Sequence, residues 1–537
     1  MNRTSTRLAA LLVFVGLTVL MTWPQARHMG NRVPDSDDPL LSIWRIAWIA
    51  HILPVDPLQL MNGNIFYPEP RTLAFTDAAL LQGVVAAPMI WAGVSPVIAY
   101  NLLVLGSIAL SGWTMSLYAY HLTNSAAAAL LSGIVFAFVP YRFDHLHHLE
   151  LQATLFLPLA LLWVDRALES GTRRDVFLAA AAVVAQVYCG IYYAVFLVTA
   201  LAIAVPLRWG GLSPDKRRGI ATSGLAAALI LLLLVSPYLT TYLLNRNSLG
   251  DRDSSDVQAY SATLGNYLAT PSENLVHGGW SGPLGQNERR LFPGAVAMAL
   301  AGIGLFGFER RRGTLVVTGL VGFVISLGVN TPLYSGLQSL LFIYHGLRSP
   351  ARASILTFLS VAGLVALGWS RVEPALKRRA TMAAGAVALA LLTEYATPQA
   401  RWFAAGSPVP EVYRWLAVQP PSVVLELPLT TSDRLDVVPD SVYMFRSIEH
   451  WQPLLNGYSG FFPQSYLELT DRIRTFPDEG SIAYLKERQV DLVIIHGDRL
   501  NPDAFGTMTA ALMTRPDFKV ESQFGLRRPD VVFRLRR

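Results

Sequence analysis

Charge is what this chain has least of: 15% of its 537 residues are Asp, Glu, Lys or Arg, against about 25% in a soluble domain. With 52% hydrophobic residues and a mean hydropathy of +0.38, that deficit excludes an ordinary soluble chain and points to a polytopic membrane protein. Cysteine is nearly absent. The single one, Cys189, lies in an apolar stretch, so no intrachain disulfide can form. There is no P-loop, no dinucleotide-binding glycine pattern and no G-x-S-x-G elbow. Internal repeats and low-complexity runs are missing too.

The net charge of +6 and a pI near 9.3 do not imply nucleic acid. Much of the basic excess falls in short clusters between apolar segments, which is the positive-inside pattern. At the N-terminus, Arg3 and Arg7 precede the apolar run 8–24, as in a signal peptide. No A-x-A-like cleavage site follows before Trp23 and Pro24, so the run reads as a retained signal-anchor.

Counting roughly 17 to 25 apolar residues per crossing, the spans are separated by Arg/Lys clusters within 166–174, 208–218, 310–312 and 371–379. Residues 176–207 are too long for one span and divide around Tyr188, Gly190, Tyr192 and Tyr193. Residues 80–94 are apolar but broken by Gly83 and Pro88. Every basic cluster faces the cytoplasm only if this segment is re-entrant or interfacial. About eleven spans then follow, with the N-terminus inside and the C-terminus outside.

The predicted architecture is an α-helical polytopic membrane domain over 1–396, with outer-face loops at 25–77, 141–150, 243–291 and 331–352. A small extracytoplasmic α/β domain is expected over 397–537, with strands at 423–427 and 491–495 and a helix at 481–489.

What charge there is collects at one face. Asp35, Asp37 and Asp38 stand just after the first span, where carboxylates repel one another and call for a proton, a cation or a cationic substrate. They suit a catalytic base, and Asp35 with Asp37 suits a divalent cation such as Mg or Mn whose shell a phosphate completes. The same residues also suit a solvated turn or helix cap. Trp44 and Trp48, with Leu40, Leu41 and Ile43, predict an amphipathic helix lying at the membrane interface.

A second cluster holds Tyr141, Arg142, Asp144, His145, His147, His148 and Glu150. Its residues suit an acid/base group, phosphate contacts or an interfacial belt, and a zinc site would need more converging ligands than spacing shows. Arg348 and Arg352, in R-S-P-A-R, suit a phosphate gripped by guanidinium, or snorkelling at a helix end. The runs 260–271 and E-R-R-L-F-P-G at 288–294 look specific, with no derivable mechanism. The aromatic and amide run 443–463 suits a sugar face or ordinary loop packing.

The layout resembles the GT-C superfamily of integral membrane glycosyltransferases, in an uncharacterised bacterial branch. The residues that carry the resemblance are D-P-L-L-S-I-W-R-I-A-W at 38–48, N-I-F-Y-P at 64–68, P-Y-R-F-D-H-L-H-H-L-E at 140–150 and R-S-P-A-R at 348–352. It covers the membrane part, most clearly its first half. It implies transfer of a sugar from a polyprenyl-phosphate donor to an envelope glycan, lipid or protein acceptor at the outer face of the plasma membrane, with inversion. By the same resemblance Asp38 is the base, with Asp35 and Asp37 behind it, and Asp144 or Glu150 is the second acid. The rival readings are a flippase for a lipid-linked intermediate and a non-catalytic scaffold. A flippase would place ionisable groups at the midplane and often show repeat symmetry. A scaffold would leave the three aspartates individually dispensable.

Overall fold

In a computed structural model of the chain, residues 3–249, 254–286, 288–306, 310–399, 401–406, 408–429 and 439–536 are described. Among them, 6 helical segments are long and apolar enough to cross a membrane: Pro96–Thr123, Ala126–Asp144, Leu149–Ser170, Ile191–Trp209, Pro214–Arg246 and Pro350–Tyr395. Ser5–Met21, Leu80–Trp91 and Ala295–Gly304 are shorter apolar helices. The long apolar run of the sequence divides at Gly190, between the helices Arg173–Cys189 and Ile191–Trp209. The 12-residue helix Leu80–Trp91 is about 18 Å long at ~1.5 Å per residue, well short of a hydrocarbon core of about 30 Å.

The chain divides into two compact units. One comprises Met1–Met29, Asn101–Tyr238 and Asp251–Arg401 and is built of helices. The helix Ser354–Leu376 is buried from Ser354 to Trp369 except at Thr357, because its apolar residues leave no polar stripe. The basic triplet Lys377–Arg379 forms the turn into the helix Ala380–Tyr395. Two glycines let backbones touch: a Cβ on Gly368 would lie 2.0 Å from the Leu300 carbonyl oxygen, and one on Gly304 2.2 Å from that of Leu364. Small residues are what such close helix crossings require.

The other unit comprises Gly30–Tyr100, Leu239–Gly250 and Trp402–Arg537. Its short strands β1 (Val33–Pro34) and β2 (Trp402–Phe403) pair antiparallel. A four-stranded sheet follows in the order β3-β4-β6-β5, formed by β3 (Val424–Leu427), β4 (Leu492–His496), β5 (Phe518–Phe524) and β6 (Asp530–Leu535). β3 and β4 run parallel and the remaining pairs antiparallel. Both parallel strands are buried throughout, as their Val, Leu and Ile residues favour, and they carry Glu426 and His496 inside with them. The helix Glu479–Glu487 lies where the sequence placed one. Residues of the first acidic loop join the same unit: Phe66 N–H donates to the Asn456 carbonyl at 3.0 Å and Tyr67 N–H to that of Leu454 at 2.8 Å.

The helix Asp37–Val55 differs from expectation. It is a core helix of its unit, packed on the helices Leu80–Trp91 and Pro439–Arg446. Trp44 and Trp48 are buried, and their indole N–H groups donate to Asn64 Oδ1 at 3.0 Å and the Leu60 carbonyl at 2.9 Å. The apolar residues occupy all sides of this helix, so no face is left for headgroups.

Candidate functional site

The acidic loop is shaped by its backbone. β1 delivers the chain to Asp35, whose φ of 70° is left-handed, a region that Asp tolerates better than most residues. Its Oδ1 accepts the N–H of Ser36 at 2.8 Å. Asp37 and Asp38 form the first turn of the helix Asp37–Val55, where the positive end of the helix dipole favours carboxylates. Each takes a hydroxyl from the tail of the chain. Ser441 Oγ donates to Asp37 Oδ1 at 2.9 Å and Tyr458 Oη to Asp38 Oδ1 at 3.2 Å. All three acids are half-buried. Further along the helix, the Trp451 ring stacks on His51 at 4.4 Å and meets Trp48 edge-on at 5.7 Å, tying the tail to the helix a second time.

In the helical unit the chemistry centres on Glu288, a buried residue held at φ 70°. Arg352 grips both of its carboxylate oxygens, Nε at 2.8 Å to Oε2 and the terminal nitrogen to Oε1. Ser349 Oγ donates to Oε2 at 3.2 Å. His145 Nε2 lies 3.0 Å from the same oxygen, while its Nδ1 lies 2.9 Å from the Tyr141 carbonyl. Two acceptors, one on each ring nitrogen, require both nitrogens to carry protons. Burial alone would lower His145, but the Glu288 charge outweighs it and the imidazole is raised above its ordinary value. Burial would likewise raise the Glu288 carboxyl, yet Arg352 and His145 hold it well below the carboxylate range. His148, 3.8 Å from Glu288, goes the other way. Burial, reinforced by its neighbours His147 and Arg352, pushes it well below its ordinary value.

The remaining residues named from sequence take distinct places around this cluster. Asp144 pairs with Arg290 at 2.6 Å. Arg142 is buried, donating to Thr154 Oγ1 at 2.6 Å and the Gln152 carbonyl at 2.8 Å, and so ties down the turn Pro140–Asp144. Glu150 lies 3.9 Å from His148. Arg348 is half-buried with its guanidinium 5.0 Å over the Tyr260 ring, and its backbone N–H donates to Tyr192 Oη at 2.7 Å. Arg352 lies 4.8 Å over the Tyr192 ring. The structure thus gathers His145, His148 and Arg352 on one carboxylate and sends Asp144 to another partner. Glu288 is the residue that sequence reasoning passed over. Its signal was the run at 288–294, but no spacing rule links it to a histidine 143 positions earlier.

For a divalent cation, the donors are hard oxygens of suitable type at Asp35 and Asp37. Among the described residues, neither belongs to a group of three metal-type donors within 4.8 Å of one another.

With this geometry in hand, the fold can be compared. The fold is similar to that of GT-C glycosyltransferases of known structure. Over 100% of its length it superposes on the arabinofuranosyltransferase AftD from Mycobacteria, with a TM-score of 0.65 at 16% identity, while spanning 40% of that chain. It is similar over 97% of both chains to ArnT from Cupriavidus metallidurans in the apo state, with a TM-score of 0.50 at 13% identity. At these identities the likeness is one of fold. No curated protein matches the sequence. Residues 53–349 match the family described as "Domain of unknown function (DUF6311)", and the chain belongs to that family.

Proposed function

We propose that this protein is a membrane glycosyltransferase that moves a sugar from a polyprenyl-phosphate donor to an acceptor hydroxyl on the outer face of a bacterial plasma membrane. The observation that carries this reading is the pair Asp37 and Asp38, set on a helix N-terminus and hydrogen-bonded by the Ser441 and Tyr458 hydroxyls, in a chain with the GT-C fold. AftD, which shares that fold, is named as an arabinofuranosyltransferase.

In this reading Asp38 takes the proton of the acceptor hydroxyl as its oxygen attacks the anomeric carbon. The bond from that carbon to the phosphate oxygen breaks, its electron pair leaves with the polyprenyl phosphate, and the anomeric configuration inverts. A phosphate leaving group needs little protonation, so one base and a stabilised anion suffice. Asp37 and Asp35 are the alternative bases. Arg348 supplies the more accessible positive charge for a phosphate, and Arg352 and His145 a buried one already balanced in part by Glu288. If a Mg or Mn ion were bound, Asp35 and Asp37 would hold it and it would screen phosphate charge. About eleven spans, a cytoplasmic N-terminus and an extracytoplasmic tail complete it.

The test is sugar transfer in membranes containing the protein, with radiolabelled polyprenyl-phosphate sugars and extracted envelope acceptors. Transfer by the wild type that vanishes in an equally abundant Asp38→Asn variant supports both enzyme and base. Transfer untouched by that change moves the base to Asp37 or Asp35. Absence of transfer from every donor, with lipid flipping observed instead, overturns the reading.

A further inference from the structure

The tail unit contains a cavity of about 440 Å³ at the end of the sheet where β4 finishes at His496 and β6 begins at Asp530. That volume is in the range of small-molecule sites, about 300 to 1,000 Å³. The cavity also lies where such sites form, beyond the carboxyl end of a parallel strand pair.

Its walls carry fixed charges of both signs, Glu411, Asp498 and Asp530 facing the guanidinium groups. Arg446, Arg499 and Arg528 all line it. Arg446 is largely buried, and Arg499 is held 5.1 Å over the Tyr443 ring. The floor is His496, whose Nδ1 lies 2.9 Å from Asp530 Oδ1 and whose Nε2 lies 2.8 Å from Glu426 Oε2. Tyr413 Oη donates to the same Glu426 oxygen at 2.8 Å. Although His496, Asp498 and Asp530 come close enough together to suggest a metal, a ring with a carboxylate on each nitrogen carries two protons and has no lone pair to give. His496 is therefore an imidazolium whose charge Asp530 and Glu426 already balance.

Around these charges stand flat apolar faces, Phe403, Phe445 and Tyr413, and carboxylates at Asp498 and Glu411 that can accept hydroxyls. Guanidinium groups recognise carboxylate and phosphate. Aromatic faces and acceptor oxygens complement the C–H faces and hydroxyls of a pyranose ring. No single element of this set selects a saccharide, but together they describe one that bears an anion.

We propose that this cavity binds an anionic saccharide, a sugar carrying a carboxylate or a phosphate, with Arg446, Arg499 and Arg528 on the anion and Phe403 and Phe445 against the ring. Two elements join it to the acidic loop. Phe403 lies on β2 opposite Val33, two residues before Asp35. The helix Pro439–Arg446 turns Phe445 and Arg446 to the cavity while its Ser441 holds Asp37. The cavity is accordingly an acceptor-glycan subsite; that assignment rests on the transferase reading, whereas the binding itself does not.

The experiment is calorimetric titration of the full chain in detergent with glucuronate, glucose 6-phosphate, glucose and inorganic phosphate. At least one of the two anionic sugars should bind, with glucose and inorganic phosphate weaker by at least about tenfold. Arg499→Gln and Arg528→Gln, whose side chains are not part of the buried core, should each weaken that sugar by about tenfold while leaving the melting temperature unchanged. Inorganic phosphate binding as tightly as the sugars would overturn the saccharide. No binding of either anionic sugar, or binding indifferent to both substitutions in folded protein, would overturn the site. Transfer activity is not consulted in any arm, so this proposal and the transferase reading fail separately.

Discussion

The Oγ of Ser441 donates to Asp37 Oδ1 at 2.9 Å across 404 positions of sequence. One helical turn of the tail thereby fixes an acid at the head of the first acidic loop, and Tyr458 does the same for Asp38 at 3.2 Å. If Asp38 is the base, Asp38→Asn should lower the transfer rate by about 10²- to 10⁴-fold at unchanged abundance. Ser441→Ala and Tyr458→Phe keep the carboxylates and lose the hydroxyl contacts to them. They should lower kcat by a smaller factor, about tenfold, and leave donor KM within about twofold. A radiolabel assay across donor concentrations separates these outcomes. Equal losses in all three variants would assign the hydroxyls a structural role shared with the acid.

Glu288 carries a different kind of dependence. Its carboxylate is the shared partner of Arg352, His145 and Ser349 inside the helical unit. Glu288→Gln leaves a guanidinium and an imidazolium buried without their counter-charge, and should cost about 3–5 kcal/mol of stability. Because the partners act as one network, Glu288→Gln combined with Arg352→Gln should cost less than the sum of the two single changes. Thermal unfolding in detergent measures both. A double variant equal to the sum would mean that the residues do not interact energetically.

His496 gives a pH signature. Burial lowers its pKa, but hydrogen bonds and charge from Asp530 and Glu426 raise it to about 9 from 6.5. A folded-state pKa above the unfolded one means that the native state binds the extra proton. The stabilisation is therefore complete below pH 6.5 and is lost as pH rises through about 9. The melting temperature of the wild type should fall across that window relative to His496→Gln, whose curve should be flatter there. Parallel curves would show that the imidazole is not protonated between its two carboxylates.

The sequence showed apolar length, charge asymmetry and local patterns clearly, because each of these is a property of neighbouring residues. The helix break at Gly190, the buried strands at 424–427 and 492–495 and the grouping of acids before the helix at Asp37 all follow from such patterns. Partnerships at long separation were not legible. Nothing local at Glu288 announces Arg352, and nothing at Ser441 announces Asp37. Trp44 and Trp48, with Leu40, Leu41 and Ile43, read locally as an amphipathic interfacial helix. Their true surroundings are set by Asn64, Leu60 and Trp451, which only the fold brings near.

Gly368 offers the sharpest test of the helical packing. A Cβ at this position would lie 2.0 Å from the Leu300 carbonyl oxygen and 3.1 Å from the Gly304 nitrogen, both of them backbone atoms that cannot swing aside. Gly368→Ala must therefore push the helices Ala295–Gly304 and Ser354–Leu376 apart. Overpacking of this kind costs about 1–3 kcal/mol, and the lost backbone contact adds to it. Gly385, where an added methyl would meet nothing within 4 Å, is the matched control on a neighbouring helix. Gly385→Ala should be neutral or slightly stabilising, since Ala exceeds Gly in helix propensity by about 1 kcal/mol. In the same detergent the melting temperature of Gly368→Ala should fall while that of Gly385→Ala holds or rises slightly, and a Gly368→Ala protein as stable as the wild type would mean that these two helices do not cross at this pair of glycines.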